Sequence, residues 1–134
     1  MPHLVVLYTG NLDPEVDMNG LCRRLADAML AARDESGRQI FPTGGTRVFA
    51  YPAAYFAVAD GQRDYAFIYL NLRMARGRSE AVRKRLGESL TQAAKDALAP
   101  VFAWRLIGVT LQIDEGAEVF DAKHSNIHPL FNTV

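Results

Sequence analysis

Residues 65–72 read YAFIYLNL, with Tyr65, Phe67 and Tyr69 at alternate positions and a DGQRD turn at 60–64 just before them. Alternation of large β-favouring side chains is the pattern of a strand, and its strength predicts a central place in a sheet. Downstream, Ser79 stands where an N-cap belongs. Val82, Leu86, Leu90, Ala93, Ala94, Ala97, Val101 and Phe102 then trace one apolar stripe at helical spacing, predicting a helix that ends near Pro100. WRLIGVTLQI, from Trp104, predicts a final long strand. Upstream the same order appears once more. HLVVLY at 3–8 predicts a strand closed by the turn residues Thr9, Gly10 and Asn11. Asp13 as N-cap and Pro14 in the first helical position then open a helix, carried by Met18, Leu21, Cys22, Leu25, Ala28 and Met29 to about Ala32. In IFPTGGTRVFAY, Pro42, Gly44 and Gly45 make a turn before a short strand around Arg47–Tyr51.

Strand, helix, strand, twice over, predicts an α+β protein of two layers: a four-stranded mixed sheet with both helices on one face. The whole chain, residues 1–134, is expected to form a single domain. The uncovered sheet face is expected to be apolar, so that oligomerisation follows. Lys plus Arg and Asp plus Glu number 15 each, which removes any global attraction to nucleic acid or an anionic membrane. The single Cys22 forms no internal disulfide and lacks zinc-site spacing, and is expected to be an inert core thiol in a reducing cytoplasm. MPHLVVLYTG has no basic leader and too short an apolar run for export, and no stretch approaches a membrane span.

Four features bear on chemistry. Pro2 becomes a secondary amine at the head of a strand if Met1 is trimmed, and a positioned amine can take a proton from one substrate atom and return it to another. Arg78, in ARGRS, falls just before the N-cap of the second helix, where free backbone NH groups and a guanidinium together favour a carboxylate. Its neighbours Arg73, Arg76, Arg83, Lys84 and Arg85 make a solvated basic patch the alternative reading, and the lack of interleaved aromatics argues against nucleic acid. Arg47 follows the permissive TGG turn, where backbone and guanidinium can approach a ligand together. Asp121, His124 and His128 match no standard metal spacing, and the Gly44–Gly45 pair lacks the lysine and helix start of a phosphate loop.

MPHLVV, IFPTGGTR, ADGQRDYAF, RGRS and NIHPLF, in that order along nearly the whole chain, resemble the 5-carboxymethyl-2-hydroxymuconate Δ-isomerase family of the tautomerase superfamily. The resemblance implies a homotrimer of duplicated β-α-β protomers, the fold also found in macrophage migration inhibitory factor, with the sheets facing inward. It implies an isomerase of aromatic-acid breakdown that uses neither metal nor organic cofactor. Its catalytic amino-terminal proline falls on Pro2 and its two substrate-binding arginines on Arg47 and Arg78. Pro2 would carry a proton from the 2-hydroxyl of an anionic dienol acid to carbon 5 while the arginines hold carboxylates. Two departures bear on the substrate: Phe49 stands where relatives carry another arginine, and the loop over 33–40 is longer. A hydratase, a dehalogenase and a non-catalytic binding trimer are alternatives on the same scaffold.

Overall fold

The computed structural model describes residues 2–131. Strands β1 (His3–Thr9), β2 (Val48–Ala53), β3 (Ala66–Ala75) and β4 (Ile107–Gly116) form one sheet, and helices α1 (Met18–Ala31) and α2 (Glu80–Phe102) cover one face of it. The strand order is β2-β1-β3-β4. The outer pairs are parallel, as helical crossovers require, and the central β1–β3 pair is antiparallel. YAFIYLNL thus lies in a central strand as expected.

Alternation decides which side chains meet the helices. Leu4, Val6 and Tyr8 of β1 and Ile68, Leu70, Leu72 and Met74 of β3 point to the helical layer. There they meet Leu21, Leu25 and Met29 of α1 and Leu86, Leu90 and Leu98 of α2. Leu70 is 1% exposed. Leu70→Ala is therefore expected to lower unfolding free energy by about 2–5 kcal/mol, read as a lower urea midpoint, because the surrounding side chains cannot collapse fully into the gap.

Helix α1 begins four residues later than the sequence predicts. Asp13 is not its cap, because its carboxylate accepts the Tyr8 hydroxyl at 2.5 Å. The Leu12 carbonyl, after a short 3-10 turn at Gly10–Leu12, takes the amides of Glu15 and Val16. Asp17 caps instead, accepting from the Gly20 amide at 3.0 Å. Helix α2 starts at its expected cap, Ser79, but continues through Pro100 to Phe102. The missing proline N–H costs little there: Pro100 and Asp96, whose carbonyl it would have met, both face solvent, while buried Leu98 and Val101 hold the last turn.

The uncovered sheet face is only partly apolar. Val5, Leu7, Phe49 and Tyr51 make its β1–β2 half apolar, with the Phe49 and Tyr51 rings edge to face. Its β3–β4 half carries Asn71, Arg73, Thr110, Gln112 and Asp114, cross-linked by Tyr69–Gln112 and Asn71–Asp114 hydrogen bonds. Cys22 is half-buried on α1 rather than in the core, and burial pushes its thiol pKa up. Among the described residues no helix is long and apolar enough to cross a membrane.

Candidate active site

Register brings three basic side chains to one end of the sheet. Pro2 is buried immediately before β1. His3, the first residue of β1, pairs with Arg73 near the end of β3. On its other side β1 meets the start of β2, where the Leu4 amide donates to the Arg47 carbonyl at 3.4 Å. The segment after β4 folds across this end and closes a cavity of about 580 Å³. His3, Arg47 and Arg73 form one wall of it and Glu118, Asp121 and Lys123 the other.

The turn that delivers Arg47 is fixed from two sides. Thr43–Gly45 is a 3-10 turn, and Arg47 Nη1 donates back to the Gly45 carbonyl at 2.9 Å. Gly44 packs on the tail so closely that a β-carbon there would lie 2.4 Å from the His128 Cα, so only glycine fits. Arg47 Nη2 lies 2.7 Å from His3 Nε2. A guanidinium only donates, so Nε2 is the acceptor and the imidazole is neutral, with its proton on Nδ1.

Burial first, then the Arg47 and Arg73 charges, hold the His3 pKa below its usual 6.5. As pH falls through 6.5 the unfolded chain takes up this proton before the folded one. The stability contributed by neutral His3 is therefore complete above 6.5 and shrinks as pH drops toward the folded value. The wild-type melting temperature is expected to fall more between pH 7 and 5.5 than that of His3→Gln, as scanning calorimetry can measure.

Arg78 lies elsewhere. Its Nη2 donates to the Ile40 carbonyl at 3.1 Å, tying the β3–α2 connection to the loop that leads to Arg47, and it does not line the cavity. At the adjoining start of α2 an internal carboxylate is already present: Glu35 accepts the Ser79 hydroxyl, the largest of the effects that lower its pKa. Glu35 comes from the longer 33–40 loop. Phe49 sits on the open sheet face and does not line the cavity either. Of the tail residues considered for metal, Asp121 pairs with Lys123 and His128 lies under Gly44. Among the described residues no three such side chains gather to hold an ion.

Neither His3 nor the tail is expected from the sequence to line a cavity, and Arg73 is expected only in a basic patch. Arg73 carried a signal, since it continues the series Phe67, Tyr69, Asn71 along one face of β3. The tail wall carried none.

A family profile described as 5-carboxymethyl-2-hydroxymuconate isomerase matches residues 2–131. The chain is 31% identical over 131 residues to the 5-carboxymethyl-2-hydroxymuconate Delta-isomerase of Escherichia coli, covering 98% of this chain and 99% of that one. It superimposes with TM-score 0.95 on a crystal structure of a 5-carboxymethyl-2-hydroxymuconate delta-isomerase, 59% identical, covering 100% of this chain and 95% of the other. A 5-carboxymethyl-2-hydroxymuconate isomerase from Deinococcus radiodurans R1 gives TM-score 0.85 at 36% identity, covering 98% and 95%. The fold is that of the tautomerase superfamily. By sequence over its described length and by fold alike, the chain belongs to the 5-carboxymethyl-2-hydroxymuconate isomerase family, a family of isomerases.

Proposed function

We propose that this chain isomerises 5-carboxymethyl-2-hydroxymuconate, or a similar 2-hydroxymuconate-type acid, without metal or cofactor, using the Pro2 amine as base and then acid. Pro2 nitrogen takes the 2-hydroxyl proton and delivers it to carbon 5. The two conjugated C=C bonds become a ketone at carbon 2 and one C=C bond between carbons 3 and 4, so atoms and charge balance. Arg47 binds a carboxylate and stabilises the electron-rich dienolate between the two transfers. Arg78 enters through the match of RGRS to the family's second arginine. Its guanidinium holds the loop that carries Arg47 and has further donors for a carboxylate.

The observation that supports this reading is the burial of Pro2 directly before His3, which lines a cavity together with Arg47. A homotrimer is part of the proposal: Leu7, Phe49 and Tyr51 leave large apolar area on the open sheet face, which a second copy would cover. The lone unpaired cysteine suits the cytoplasm, where we expect the protein to work. Ultraviolet monitoring of ketonisation tests the reaction, on protein whose intact mass shows Met1 removed. A rate no faster than buffer across several 2-hydroxymuconate-type enols would sink it.

A further inference from the structure

We propose that Arg73 is a second carboxylate ligand of the cavity and selects acids with more than one carboxylate. The inference rests on the isomerase reading for its substrate class, but its grounds are geometric. Arg73 lies on the same sheet face as His3, paired with it across β1 and β3, and both line the cavity with Arg47. His3 therefore stands between two guanidinium groups, in contact with Arg47 on one side and facing Arg73 on the other. Being neutral, it separates them without adding to their repulsion.

Arg73 has no hydrogen bond or ion pair of its own among the described residues. The nearest strand acid, Asp114, is bonded to Asn71. The guanidinium is nevertheless placed. It lies over Gly116, where a β-carbon would come within 2.3 Å of Nη2, so the absence of a side chain at 116 makes its berth. On the opposite wall Lys123 and Asp121 neutralise each other. The remaining charges are Arg47, Arg73 and Glu118, leaving the cavity positive. An acid with one carboxylate can use Arg47. A second carboxylate, separated from the first by a conjugated chain, gains a charge-assisted hydrogen bond at Arg73.

A matched pair of inert six-carbon dienes tests this without turnover: trans,trans-muconate, with two carboxylates, and sorbate, with one. Calorimetric titration of the wild-type protein at low salt is expected to show muconate binding about tenfold more tightly. Arg73→Gln is expected to bring the two within about twofold by weakening muconate alone, and Arg73→Lys to keep most of the preference. The proposal is overturned if wild type does not prefer muconate. It is also overturned if the preference survives Arg73→Gln, or if that variant weakens both ligands equally. Failure of the parent reading looks different: muconate would bind through Arg73 while no enol was ketonised.

Discussion

Pro2→Ala is expected to lower kcat for ketonisation by about a hundredfold, toward the lower end of what positioned acid–base catalysis contributes, because a terminal primary amine remains but without the ring that fixes it. Protein that retains Met1 should lose the full effect, about 10²–10⁴-fold, since a proline nitrogen within a peptide bond has no basic lone pair. The two samples are told apart by intact mass, and their rates by stopped-time ultraviolet assays on the same enol. A generic terminal amine titrates near 7.7–8.0, leaving about one in seven neutral at pH 7. Once Met1 is removed, the burial of Pro2 would disfavour the ammonium form. The rising limb of kcat/KM with pH is therefore expected at lower pH than a free terminal amine would give. Unchanged activity of Pro2→Ala on every enol would remove proline catalysis.

Arg47→Gln is expected to lower kcat/KM by about 10²–10³-fold, because in the proposed mechanism it would remove both a carboxylate ligand and the charge that stabilises the dienolate. Most of the loss should fall on kcat if the guanidinium acts on developing charge, and on KM if it only anchors a carboxylate. Arg47→Lys separates these further, since an ammonium keeps the charge but loses the planar fork that bonds Gly45 and His3 together. Melting temperatures of both variants guard against a merely structural explanation.

Much of this was legible in the residues. Alternation in HLVVLY and YAFIYLNL and the apolar stripe from Val82 to Phe102 are dictated by local geometry and give strands and helices directly. The start of α1 was not legible, because it depends on Tyr8 claiming the Asp13 carboxylate, a contact made only once β1 is in place. Pro100 misled because helix-ending propensity is weak in a last turn whose apolar side is already buried. For the site, Pro2 and Arg47 are sequence neighbours of strand starts and could be read there. Arg73 needed the register of β1 against β3, and the tail wall needed Gly44 against His128. Both are long-range contacts that no local pattern encodes.

The parallel–antiparallel–parallel order gives the sheet an internal symmetry. A pseudo-twofold axis passes between β1 and β3 and exchanges the halves: the Leu4 amide bonds the Arg47 carbonyl just as the Ala66 amide bonds that of Leu106, and Leu4 pairs with Val48 as Ala66 does with Ile107. The counterpart of Pro2 is then Asp64. At that far end Asp64 holds Arg105 by carbonyl and carboxylate, with Glu15 at 2.5 Å on its other side. The two halves present equivalent corners, but a polypeptide has one amino terminus. One corner is therefore locked by an ion pair, and the other is the one at which the proposed Pro2 amine would act.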